Sequence, residues 1–102
     1  MRQYPLNRPL GAQVSAAITT NATTEINSGA STVFSGLLVG TAGSAWTAAI
    51  YNGNPSSGGV LLTTITADTV GPVLSPLLAC PQGLYVETAG TTAGSLTVCY
   101  YA

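Results

Sequence analysis

Glycine interrupts this chain too often for helices to form. Residues 29, 36, 40, 43, 53, 58, 59, 71, 83, 90 and 94 are glycine, and each glycine inside a helix costs about 1 kcal/mol relative to alanine. Between the glycines, Thr and Ser stand among Val, Ile, Leu and Tyr. β-Branched and aromatic side chains fit a pleated, half-buried surface. Short strands with turn signals at this spacing are the pattern of a sandwich or barrel.

The expected strands are residues 14–20, 23–26, 32–39, 45–52, 60–66, 73–79, 84–88 and 95–101. Alternation supports several of them. In Thr47-Ala48-Ala49-Ile50-Tyr51 every second residue can face one core, and Leu96, Val98 and Tyr100 oppose Thr97, Cys99 and Tyr101. A strand apolar on both faces expects cover on both sides, and in a small two-sheet domain the second cover is expected to be another subunit. Pro72, Pro76 and Pro81 mark 73–79 as an edge or broken strand, because proline cannot donate to a ladder.

The expected fold is therefore all-β: a single small antiparallel β-sandwich, jelly-roll or Ig-like, with an extended N-terminal arm. At 102 residues the chain makes one domain with one modest core. The arm is residues 1–13 and the sandwich 14–102. Pro5 and Pro9 hold the arm extended, with Tyr4, Leu6 and Leu10 as apolar anchors. It is either a disordered end or a strap on a neighbouring subunit.

One internal echo stands out. Leu37-Leu38-Val39-Gly40-Thr41-Ala42-Gly43 matches Leu84-Tyr85-Val86-Glu87-Thr88-Ala89-Gly90, 47 residues later. Each copy ends a strand at Thr-Ala-Gly and leads by a short connection into the next. The pattern predicts two equivalent hairpins, one in each sheet. Asn52 to Gly59 is expected to be a third, longer loop.

Charge excludes most chemistry. Arg2, Arg8, Glu25, Asp68 and Glu87 are the only charged side chains, and histidine and lysine are absent. A soluble domain ordinarily carries about 25% charged residues, and here the figure is 5%. A subunit packed among others needs little repulsive charge. Two arginines do not make the basic patch of a nucleic-acid binder. Nucleophilic catalysis needs a base beside the nucleophile, and only Glu25, Asp68 and Glu87 are candidates, each on or beside a different strand. The reading is a non-enzyme with no catalytic residues and no cofactor or metal site.

Cys80 and Cys99 cannot hold a metal without histidine or further cysteine. They are either two small buried apolar residues or, in an oxidising compartment, a disulfide. The N-terminus lacks the unbroken apolar stretch of a secretory signal, and no apolar run approaches a membrane span, so the expectation is a complete chain made in the cytosol. Asn21-Ala22-Thr23 matches a glycosylation acceptor and is read as chance on the same ground. Trp46 is expected in the core. Tyr51, Tyr85, Tyr100 and Tyr101 belong to core, interface or a sugar-stacking surface.

Residues 83–101, with Gly-Leu-Tyr-Val-Glu-Thr-Ala-Gly-Thr and then Leu-Thr-Val-Cys-Tyr-Tyr, resemble the ending of small virion proteins of tailed bacteriophages. Residues 45–58, a strand leading through Tyr-Asn-Gly-Asn into a Ser/Gly loop, are similar to a strand–loop of the same proteins, with Asn52 where an aspartate often stands. The resemblance implies a small β-sandwich acting as a capsid decoration or cement subunit. It further implies a place on the capsid surface of a virion assembled in the host bacterial cytoplasm. The implied partners are the major capsid protein and copies of itself, with a homotrimer favoured and no nucleic acid or membrane bound. Two alternatives remain: a carbohydrate-binding module, or a head-fibre or tail-associated adhesion protein. A secreted adhesin with a Cys80–Cys99 disulfide is the third.

Overall fold

The computed structural model describes residues 12–102. Eight strands follow one another: β1 (Ala12–Val14), β2 (Thr23–Asn27), β3 (Val33–Thr41), β4 (Thr47–Asn52), β5 (Val60–Thr66), β6 (Gly71–Ala79), β7 (Leu84–Ala89) and β8 (Ser95–Tyr101). One 3₁₀ turn, Pro55–Ser57, interrupts them. All strand pairs are antiparallel. The first sheet has the order β1-β8-β3-β6 and the second β2-β7-β4-β5. Two four-stranded sheets interleaved in this way are a jelly roll, so the strand order decides between the two sandwich types that the sequence allows.

The alternation seen in the sequence builds the core. Phe34, Leu37 and Val39 of β3 meet Leu96, Val98 and Tyr100 of β8 on the inner face of the first sheet. Ala48 and Ile50 of β4 and Leu84 and Val86 of β7 line the inner face of the second. Trp46, fully buried, closes one end of the sandwich. Burying side chains of this size contributes roughly 1.5–3 kcal/mol each, which favours the inward register over any one-residue slip.

The echo does not make two hairpins. β3 lies in the first sheet and β4 in the second, while β7 lies in the second and β8 in the first. Each Thr-Ala-Gly is therefore a corner that carries the chain across the sandwich. The two corners bind each other: Ser44 N–H donates to Thr92 O at 2.9 Å, and Thr92 N–H donates back to Ser44 O at 3.1 Å. The glycines stand where no Cβ fits. One added at Gly43 would lie 2.5 Å from the Cβ of Trp46, and one at Gly90 would overlap the carbonyl of Ala45. Among the described residues the one connection between sequential strands of a single sheet is β4–β5, through the Asn52–Gly59 loop.

Several boundaries differ from expectation: β3 runs Val33–Thr41 in place of 32–39, β2 and β7 each end one residue later, and three other differences have local causes. The first strand is Ala12–Val14 in place of 14–20. Beyond Val14 the ladder with β8 becomes irregular: Ser15 N–H donates to Val98 O and Val98 N–H turns to the Ser15 hydroxyl, both at 2.9 Å, and a reciprocal backbone pair returns between Ile18 and Leu96. β4 begins at Thr47 and not at 45, because Ala45 takes φ +49° to turn the corner. β6 starts at Gly71, two residues early, and is the expected edge, irregular where Ser75, Pro76 and Leu77 stand against the single residue Ser35 of β3. The anticipated arm lies outside the described residues over 1–11, and Ala12 and Gln13 at its end already pair with Tyr101 and Tyr100.

Candidate interaction surface

The outer faces of the two sheets differ in chemistry. On the first sheet, register places Ala12, Tyr101, Val33 and Ala79 in one row, Val14, Cys99, Gly36 and Leu74 in the next, and Thr97, Leu38 and Pro72 in a third. Not one of these residues is charged. Leu74 is 89% exposed and Leu77 beside it 66%, both raised on the irregular part of β6. A leucine this exposed leaves most of its transfer free energy unrealised. Thr97 adds a hydroxyl that is shut off from solvent and has no hydrogen-bond partner among the described residues.

On the second sheet the rows are polar: Thr23, Glu87, Ala49 and Thr64, then Glu25, Tyr85, Tyr51 and Leu61. Two of the three candidate carboxylates meet here. Glu25 stands opposite Tyr85, and the Tyr51 hydroxyl donates to Glu87 Oε1 at 3.4 Å. Burial, and then the neighbouring Glu25 carboxylate, push the Tyr85 phenol above its ordinary value. The third carboxylate is elsewhere: Asp68 Oδ1 accepts from Trp46 N–H at 2.9 Å and anchors the start of β4.

The cysteines take opposite positions. Cys80 is buried at the end of the core, its N–H bonded to Thr32 O at 2.8 Å. Burial raises its thiol, against a smaller opposing effect from the Phe34 backbone. Cys99 faces outward in the middle of the apolar face, and both thiols are free. Among the described residues no group of three or more cysteine, aspartate or glutamate side chains gathers to hold a metal ion.

Sequence reasoning missed Asn21. Its Oδ1 accepts the Trp46 indole N–H at 2.9 Å, and its Nδ2 donates to Gly90 O at 3.0 Å. The side-chain nitrogen that glycosylation would modify is thus engaged by the fold. The signal available was its place three residues after Ile18, matching Asp68 three residues after Ile65. The Asn52–Gly59 loop is also held by its own bonds: Asn54 Oδ1 accepts from Ser56 N–H at 2.9 Å, and Gly59 N–H donates to Asn54 O at 2.8 Å.

Comparison with family models, curated proteins and solved structures finds no match to this chain. Among the described residues no helix is long and apolar enough to cross a membrane.

Proposed function

We propose that this protein is a structural virion protein of a tailed bacteriophage, a decoration or cement subunit that seats its first sheet on the capsid shell. The observation that carries this reading is the uncharged, apolar outer face of β1-β8-β3-β6. Four strands about 4.8 Å apart and about six residues long span roughly 400 Å² in plan. Apolar patches of that size on a small domain are often functional. The area is about half the ~800 Å² per partner of a standard stable interface, which suits a subunit whose attachment is completed by further contacts on a shell. A jelly roll is a fold that capsid proteins share with lectins and cupins, and a fold alone does not assign function.

The test uses purified phage particles and the full-length protein. Mass spectrometry of washed particles should find the chain, and purified protein should rebind particles stripped of it. Leu38→Asp and Leu74→Asp place a charge where a partner's apolar surface would desolvate it. Each should weaken rebinding at least tenfold with the fold intact. The Cys99 thiol should react in the free protein and be shielded on the particle. Rebinding that both aspartates leave unchanged rejects this face as the attachment surface.

A second reading has its own observation. Tyr51 and Tyr85 lie side by side on β4 and β7 with the Glu25 and Glu87 carboxylates around them. Aromatic faces flanked by carboxylate acceptors suit a sugar ring, as a carbohydrate-binding or adhesion module requires. A glycan array answers it: a hit abolished by Tyr85→Ala and kept by Leu74→Asp favours this reading over shell attachment.

A further inference from the structure

A two-sheet sandwich has four edge strands, and each unpaired edge invites another strand unless something blunts it. Among the described residues β1, β6, β2 and β5 are the edges. β1 has only three residues. β2 carries Glu25 and a register irregularity before Asn27. β6 contains Pro72 and Pro76 and is irregular against β3. β5, Val60-Leu61-Leu62-Thr63-Thr64-Ile65-Thr66, has seven residues, with no proline, glycine or charge; it carries one extra residue, Leu62, against β4, and Thr63 to Thr66 beyond it pair in unbroken register.

We propose that β5 is the edge through which two copies of this chain join, antiparallel, across a two-fold axis, making one continuous eight-stranded sheet. Ala67 N–H donates to Trp46 O at 2.8 Å, which fixes the phase of the ladder with β4. By alternation, the N–H and C=O of Thr64 and Thr66 then point away from β4, toward the open edge. Both residues are exposed. Antiparallel self-pairing is isologous, so with the two-fold axis at Ile65 the outward donors of Thr64 and Thr66 on one copy find the carbonyls of Thr66 and Thr64 on the other. No charge on β5 opposes the approach, and the nearest carboxylate, Asp68, is tied back to Trp46 N–H. The chain's own residues 1–11 suit this edge poorly, because Pro5 and Pro9 lack the N–H a ladder needs. The other three edges are blunted, so a head-to-tail ring through β5 lacks a matching partner edge.

The inference stands apart from shell attachment and is tested on the full-length protein with no particle present. Sedimentation equilibrium should give twice the chain mass at micromolar concentration. Thr64→Pro removes an outward donor and should return the mass to that of one chain, with far-UV circular dichroism unchanged. Leu74→Asp, on the other sheet's face, should remain a dimer. Amide hydrogen exchange on the unmodified protein should show Thr64 and Thr66 protected at high concentration and losing protection on dilution, which decides the matter even if the proline variant does not fold. A single-chain mass for the unmodified protein, a trimer, unprotected Thr64 and Thr66 amides, or a dimer dissolved by Leu74→Asp and not by Thr64→Pro would each overturn the proposal.

Discussion

Trp46 has no solvent exposure, yet its two N–H groups are satisfied by two side chains from the same kind of corner, Asn21 and Asp68. Asn21→Ala strands the indole N–H in the core, and an unsatisfied buried donor costs about 1–3 kcal/mol. Urea unfolding should show that loss with an unchanged slope. Thr97 predicts the opposite sign. Its hydroxyl is already enclosed and finds no partner among the described residues, so Thr97→Val removes a desolvation penalty while keeping the shape, and should stabilise by about 1 kcal/mol in the same assay. Cys80 gives a pH dependence. Its thiol is raised in the folded state above the ordinary value of about 9.0, so the folded state holds its proton after the unfolded chain has released it. The stabilisation is complete below pH 9 and is lost as pH rises through the folded value. Unfolding followed from pH 8 to 11 should show this decline, and Cys80→Ala should make it shallower, leaving the part that the raised Tyr85 phenol contributes. A thiol reagent near neutral pH should modify Cys99 and spare Cys80 until the protein unfolds.

At the scale of elements, the strand spans were legible and their connections were not. Period-two burial is local, so β5, β7 and β8 fall within a residue of where alternation puts them. The three prolines correctly marked an edge. A corner is another matter. Thr-Ala-Gly looks the same whether the chain folds back beside itself or crosses to the opposite sheet, and Ala45 adopts a left-handed φ that no glycine announces. Packing decides it: the Trp46 side chain fills the space over Gly43. Gly43→Ala must push Trp46 or the Thr92 carbonyl aside, and overpacking of this kind costs about 1–3 kcal/mol. Differential scanning calorimetry should show a midpoint several degrees lower. Of the candidate site, the outward facing of Thr97, Cys99 and Tyr101 was readable from β8 alone. That Leu38, Leu74 and Val14 join them was not, because those rows exist only once β1, β3 and β6 are paired.

For the whole molecule the 47-residue offset runs further than the echo. Shifted by that interval, β1 to β4 fall on β5 to β8, and the first sheet β1-β8-β3-β6 becomes β5-β4-β7-β2, which is the second sheet read backwards. Ile18-Thr19 maps onto Ile65-Thr66, and Asn21 onto Asp68. The two halves are thus alike but interleaved: the central pairs β3–β8 and β4–β7 each join one half to the other. Residues 1–54 or 55–102 alone would hold two strands of each sheet without their central partners. Expressed separately, each fragment should be unfolded by amide NMR; mixed, they should regain dispersed spectra. Independent folding of either half would contradict the interleaving. The sequence by itself determined that the chain is all-β, which residues alternate inward, and which edge is guarded by proline, because these follow from one residue and its near neighbours. Only the tertiary structure decided which sheet each strand joins and where the uncharged face lies. Strand partners such as Val14 and Cys99 are far apart along the chain, and their meeting depends on how two corners pack around one tryptophan.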